Sequence, residues 1–190
     1  MESIEQTNSS QYLTFTLGEE IFALGINRVR EVLDYKTIGK VPGMPPFIRG
    51  VINLRGDVVP VIDLRVKLGM TLTRKETDTC IVIMEINVDG ELVQMGALAD
   101  SVREVTDLTT SQVAPPPKIG KKYKIDFIKG IGKQEETFLI ILDIDRVLSE
   151  DERSLVRATA EVADSDSEEI SSAFPPMSDM PDIDVMSAGV

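Results

Sequence analysis

The sequence predicts an all-β protein assembled from two related copies of one small unit. The first observation is an echo. FIRGVINLRGDVVPVIDL at 47–64 returns as FIKGIGKQEETFLIILDI at 127–144, with Phe-Ile-(Arg/Lys)-Gly in front and (Ile/Leu)-Asp-(Leu/Ile) behind at identical spacing. The second is that VREV occurs twice, at 29–32 and 102–105, each time after a pair of strand-like runs. The offsets are 73 and 80 residues, so the second copy carries seven additional residues, most economically within 113–124. The third is that the apolar runs are short and punctuated by Gly, Pro, Asn and Asp, the pattern of hairpins.

Taken in order, residues 1–10 are polar and are expected to be disordered. Residues 12–17 alternate apolar and polar side chains, and after Gly18-Glu19 the run resumes over 20–24, giving an antiparallel hairpin. Residues 27–33 place Val29, Val32 and Leu33 at three- and four-residue spacing, enough for a short helix or turn. The loop VPGMPP at 41–46 is stiffened by its prolines. It delivers the chain to a hairpin with apolar runs at 50–54 and 58–62 and a Gly56-Asp57 turn. Pro60 cannot donate to a ladder, which predicts an edge strand or a bulge there. Asp63 then caps a short helix that Gly69 stops.

A polar link at 71–78 opens the second half, and the first unit is taken as about 11–72, the second as about 73–150. TCIVIMEIN at 79–87 is apolar on both faces, as a strand buried on both sides must be, and suggests that the two units share a core. Asp89-Gly90 turns the chain back through 91–98. The stiff segment APPP at 114–117 leads into Lys118, Lys121, Lys122 and Lys124. Residues 127–132 and 137–142 close the second unit, and 143–150 can turn helically. Helical spacing at 151–163, with Leu155, Val156, Thr159 and Val162, predicts a mostly polar, weakly docked helix. The remainder, 164–190, reads as a disordered acidic tail.

Charge sharpens the functional reading. The net charge is −12, but residues 158–190 hold eight acids and no Lys or Arg, leaving 24 acids against 20 bases in the body. A near-neutral body lacks the basic footprint of a nucleic-acid binder and points to protein partners or small ligands. The lysines at 118–124 carry the competing small-barrel nucleic-acid reading, but only Tyr123 interleaves them. No apolar run approaches the about 20 residues of a membrane span. The N-terminus has no export signal, and the single Cys80 rules out an internal disulfide, so a cytoplasmic location without membrane insertion is expected.

Catalytic and metal chemistry finds little to stand on. The chain has no histidine, the commonest general base and metal ligand. No phosphate-binding loop, nucleophile elbow or paired-cysteine motif is present. The remaining carboxylates, Asp63, Asp143 and Asp145, sit where strand becomes helix, so capping accounts for Asp63 and Asp143 without chemistry. No enzyme activity and no cofactor are expected.

With NLRGDVVPVIDLR, the FTLGEE hairpin, both VREV segments, VPGMPPFIRG and the closing ILDI on the page, the chain resembles the chemotaxis coupling protein family, CheW, over roughly residues 11–150. The resemblance implies two intertwined five-stranded SH3-like barrels with short helices. It also implies a non-catalytic adaptor between the cytoplasmic tips of methyl-accepting chemotaxis receptors and the regulatory domain of the histidine kinase CheA, recruited to membrane-associated receptor arrays. A pathway controlling pilus motility or gene expression could use the same protein. By the same resemblance, receptor contacts fall on Ile26, Val29, Glu31, Val32, Arg55, Val102 and Val105. Kinase contacts fall on Ile38, Gly39 and Lys40, and on Pro117, Lys118 and Ile119.

Overall fold

A computed structural model describes residues 8–118 and 125–173, with side chains through Ala163. Strands β1 (Ser9–Leu17) and β2 (Glu20–Gly25) form the first hairpin, a 3-10 turn covers Ile26–Arg28, and β3 (Val29–Asp34) follows. The second hairpin is β4 (Ile48–Leu54) and β5 (Asp57–Asp63), ending in the one-turn helix α1 (Leu64–Lys67). Next come β6 (Cys80–Val88), β7 (Glu91–Ala99), β8 (Ser101–Thr109) and the two-residue β9 (Val113–Ala114). The chain continues with β10 (Ile128–Gln134), β11 (Thr137–Leu142), α2 (Ile144–Val147) and α3 (Glu150–Ala173).

The protein is mostly β, in two sheets that each take strands from both halves of the sequence. One has the order β3-β6-β7-β5-β4, the other β8-β1-β2-β11-β10-β9. The hairpin β1–β2 therefore lies among second-half strands, and β6–β7 lies among first-half strands. In both sheets the exchanged hairpin joins its host by a parallel pairing, Val61 to Gly96 in one and Ile141 to Ala23 in the other. This is the intertwined, SH3-like arrangement expected from the resemblance, although neither sheet closes through a ladder, and β9 makes one of them six-stranded. The five-stranded sheet nevertheless curls until its ends meet: Gly39, beyond β3, pairs with Val51 on β4.

Three cores result, and β6 belongs to two of them. Ile81 and Ile83 pack with Ile52, Leu54, Val59, Val61 and Leu98 inside the first sheet. The alternate side chains Val82, Met84, Ile86 and Val88 join Phe15, Leu17, Phe22, Leu24 and Leu142 in the core between the sheets. A third cluster, with Leu108, Leu139 and Ile141, fills the second sheet. Each such fully buried side chain contributes about 1.5–3 kcal/mol, so the between-sheet core is what makes the two units one body. The shared core suggested by the apolar run at 79–87 is found.

The echoed motifs have local physical causes. In VREV the ladder slips: Val29 faces Met84 but Glu31 faces Ile83, leaving Arg30 as a bulge, and the second copy slips between Val102 and Val105. A bulge re-aims the side chains that follow it. In Phe-Ile-(Arg/Lys)-Gly the glycine is a contact point: a Cβ on Gly50 would collide with the Gly39 carbonyl oxygen, and on Gly130 it would stand 2.8 Å from that of Ala114. The basic residue before it answers the later aspartate in the first copy, where Arg49 Nη1 donates to Asp63 at 2.8 Å.

Asp63 is fully buried and has its acceptors filled. It takes Arg65 N and Val66 N at the start of α1, Thr73 N at 2.9 Å and Thr73 Oγ1 at 2.8 Å, besides Arg49. Capping is thus one part of a larger node that ties β5, α1 and the link after it together. Asp143 caps α2 through Asp145 N. Asp145 instead joins Arg28 and the Asn87 N–H, 2.8 Å away.

Helix α3 begins with a capping box: Ser149 N donates to Glu152 Oε2 at 2.8 Å and Glu152 N to Ser149 Oγ at 3.2 Å. Val156 and Thr159 are buried beneath it, Glu152 pairs with Lys67, Arg157 pairs with Glu91, and Arg153 Nη1 donates to Asn87 O at 2.8 Å. Burial raises the Glu152 pKa, but bonds from Lys67 and Ser149 outweigh it and hold the carboxyl below its ordinary 4.5.

Several expectations are corrected. Strand β1 already begins at Ser9, because Ser9 and Ser10 pair with Thr109 and Leu108, so the disordered start does not reach residue 10. The helix or turn expected at 27–33 is a 3-10 turn and then β3, since its apolar spacing serves a bulged strand. Strand β5 is interior, not an edge; Pro60 is tolerated because β7 pairs only from Val61 onward, and the bulge at Arg49 lies across on β4. Helix α3 runs to Ala173, ten residues beyond 163 and into the expected disordered tail, because once its first turns are docked each further residue adds a hydrogen bond cheaply. The rest of that tail, 174–190, lies outside the described residues.

Two tests follow from these polar anchors. Asp63→Ala strips Arg49 of its carboxylate and the Thr73 N–H and hydroxyl of their acceptor, and lowers the urea-unfolding free energy by about 3 kcal/mol or more, against about 1 kcal/mol for the half-buried cap Asp143→Ala. Because the folded-state pKa of Glu152 is depressed, its contribution is present above pH 4.5 and is lost as pH falls through the folded value. Acid titration followed by circular dichroism therefore shows an α3 step that Glu152→Gln removes.

Candidate functional site

The hairpin tip is shaped by backbone geometry. Its turn consists of Arg55 and Gly56, with φ of 52° and 95°, between the paired Leu54 and Asp57. The turn expected at Gly56-Asp57 is thus one residue earlier, and the left-handed arginine carries a backbone cost of roughly 1–2 kcal/mol. Asn53 offsets part of it, its Oδ1 accepting from Gly56 N at 3.2 Å. The β6–β7 turn repeats the device, Asn87 Oδ1 accepting from Gly90 N at 2.9 Å.

Arg55 leaves this turn with its side chain 72% exposed and forks onto Glu31 of β3, the second contact being Nη1 to Oε2 at 3.3 Å. The hydrogen bond and the charge of Glu31 push the guanidinium pKa above its usual value. Since β3 and β4 are opposite ends of their sheet, the pair spans its seam. The second unit does not repeat it. Glu135, at φ 54°, takes the place of Arg55, and with Glu104 and Arg103 lines a small cleft of about 240 Å³.

On the other face of β3 from Glu31, a cleft of about 670 Å³ crosses from one sheet to the other. Val32 of β3 and Val102 of β8 line it, with Cys80 and Tyr35. Val32 is 41% exposed, an apolar side chain offered to solvent by the strand after its bulge. The structure therefore brings Glu31 to Arg55, and Val32 to Val102. Ile26 and Val29 are half-buried against the between-sheet core, as is Val102 from its other side. Val105 is 49% exposed further along β8 and is not part of the cleft lining.

The other pair of candidate segments obeys one pattern. Gly39 exchanges two backbone bonds of 2.8 Å with Val51, while Ile38 packs into the first-sheet core and Lys40 is exposed. Residues 38–40 thus join the sheet through a single bridge. Ala114 pairs with Ile131 in the equivalent place, and exposed Pro117 and Lys118 follow. Ile119 and the lysines at 121–124 lie outside the described residues. Among the described residues no cluster of His, Cys, Asp or Glu could hold a metal ion, and no helix is long and apolar enough to cross a membrane.

Sequence reasoning missed the wall of the cleft. Residues 75–78 of the polar link line it together with Thr79, and the Lys75 ammonium stands 5.1 Å from the Tyr35 ring centroid. No periodicity marks such a segment; Thr73 and Thr79, the buried threonines that hold its two ends, are the signal that was available.

The profile of the CheW-like domain family matches residues 11–152. The chain is 34% identical over 151 residues to the chemotaxis protein CheW of Klebsiella aerogenes, covering 80% of this chain and 89% of that protein. To the chemotaxis protein CheW of Thermotoga maritima it is 31% identical over 143 residues, covering 74% and 88%. The crystal structure of the scaffolding protein TtCheW from Thermoanaerobacter tengcongensis superposes with a TM-score of 0.67 at 34% identity, covering 75% of this chain and 96% of that one.

Cys80 at the cleft floor reports on this geometry. Burial raises its thiol pKa, so little thiolate forms near neutral pH. Alkylation by a maleimide is expected to be at least about tenfold slower in the native protein than in denaturant, consistent with an inert buried thiol; equal rates would mean that the floor is open.

Proposed function

We infer that this chain, which belongs to the CheW family and is an adaptor in chemotaxis signalling, couples the cytoplasmic tips of transmembrane chemoreceptors to the histidine kinase CheA and catalyses no reaction. The observation that carries the reading is a cleft that runs across both sheets between the two VREV valines, Val32 and Val102, on a sheet whose seam carries the exposed Glu31–Arg55 pair. A helical receptor tip would lay its apolar stripe against Val32 and Val102, with Ile26, Val29 and Val105 extending the surface. Arg55, mostly exposed and offering a planar fork of donors, would give the contact direction.

The kinase contact is assigned to the two edge segments, Ile38–Lys40 and the Pro117–Ile119 stretch. Support comes from a common construction: Gly39 of the first segment lies against Gly50, and Ala114, shortly before the second, lies against Gly130, each the glycine of the Phe-Ile-(Arg/Lys)-Gly motif. An exposed main-chain edge held in this way suits pairing with another β domain. The buried carboxylate Asp63 is consumed by structural bonds. The protein would work in the cytoplasm, drawn to receptor arrays by these contacts.

Arg55→Glu tests the receptor half. Its circular dichroism and kinase binding are expected to match the parent, with the unfolding midpoint moved by a few degrees at most, since the pair is exposed. Co-sedimentation with receptor-bearing membranes is expected to weaken by about tenfold. In the exchange Glu31→Arg with Arg55→Glu the internal pair re-forms; binding that stays weak assigns the loss to Arg55 facing the receptor. Undiminished association of the single variant removes Arg55 from the site.

A further inference from the structure

We propose that the link between the two units, residues 74–78, is a specificity rim: it selects a partner helix that carries lysine or arginine side chains beside its apolar stripe. The proposal deepens the receptor reading and rests on it.

The link is built as a wall. At one end Thr73 is buried, its N–H and hydroxyl both held by Asp63, and its carbonyl accepts from Arg49 Nη1 at 3.2 Å. At the other end Thr79 is buried, its hydroxyl accepting from Glu76 N at 2.8 Å and donating to Arg74 O at 3.1 Å. Residues 74–78 between these anchors are exposed. They separate the cleft of Val32 and Val102 from a second hollow of about 600 Å³, to which Glu76, Thr77, Asp78 and Thr79 also contribute. An unanchored linker would have no reason to keep two openings apart; one pinned at both ends presents its side chains in fixed places.

The segment itself is neutral, Arg74 and Lys75 balancing Glu76 and Asp78, but Arg74 faces the second hollow and the lining of the Val32–Val102 cleft is acidic. Asp34, Glu76 and Asp78 line the Val32–Val102 cleft, and none of the three carboxylates has an ion-pair partner among the described residues. The single cation of that lining, Lys75, lies over the Tyr35 ring. An apolar floor with an unneutralised acidic rim is the complement of an amphipathic helix with flanking cations, and it disfavours a helix with flanking acids by like-charge juxtaposition. Negative potential also reaches the floor, where Asp100 and Asp34 add to the larger effect of burial on the Cys80 thiol.

The test uses the full chain with Glu76→Lys and Asp78→Lys together, both anchoring threonines left intact, in co-sedimentation with receptor-bearing membranes at low and high salt. Binding is expected to fall at least about tenfold at low salt and to lose much of its salt dependence. Glu76→Gln with Asp78→Asn should fall between, and serves if the reversed pair proves unstable in thermal unfolding. Kinase binding is expected to be unchanged. Parental receptor binding by both variants, with Arg55→Glu still impaired, overturns the rim while leaving the receptor site in place. Parental binding by all three overturns both.

Discussion

Strand β6 is the constraint from which the rest of the architecture follows. Its residues alternate between two apolar environments, Ile81 and Ile83 into the first sheet and Val82, Met84, Ile86 and Val88 into the core shared with the second. A strand buried on both faces admits no register error, because a one-residue slip would exchange two sets of side chains sized for different cavities. That fixed register places Asp34 opposite Cys80, and Cys80 opposite Ala99, so the start of β8 arrives beside the end of β3. The cleft between the sheets is a by-product of this alignment. Its two valines come from the two VREV copies and meet because the hairpin between them has a single allowed position.

Much of this was legible in the residues. The duplication, the doubly apolar strand, the hairpins and the capping aspartates all carry local signals that the fold respects. The failures have physical reasons as specific as the successes. The segment 27–33 looked helical because its valines are spaced by three, yet a β-bulge at Arg30 produces the same spacing in a strand. Pro60 argued for an edge, but a parallel neighbour that pairs with only the last three residues of β5 leaves room for a proline in an interior strand. The turn fell one residue early because Asn53, not Asp57, supplies the supporting acceptor; the N-x-x-G pattern shared by Asn53 and Asn87 was present to be read. So was the Ser149-x-x-Glu152 box that opens α3.

The candidate site was legible only in part. Arg55 and Glu31 could be named from motifs, but that they grip one another across the seam of a curled sheet depends on strands from distant parts of the chain. The wall at 74–78 had no signature beyond polarity, since its function arises from its anchors and its neighbours. Surfaces that work by touch differ in this respect from catalytic centres: their chemistry is distributed over ordinary residues, and only the placement is unusual.

The exchanged hairpins bear on how the molecule comes into being. Strands β1 and β2 are the first described elements to leave the ribosome, yet their sheet partners β8 and β11 both come from the second half of the chain. The core around Phe15, Leu17, Phe22 and Leu24 is thus completed only when Leu142 of β11 has been synthesised. Long-range pairing of this kind slows assembly, because loop-closure entropy must be met before any of those contacts form. Threading of two siblings through each other, which gives the mature adaptor its single rigid body, leaves the nascent one with an apolar ribbon to shield.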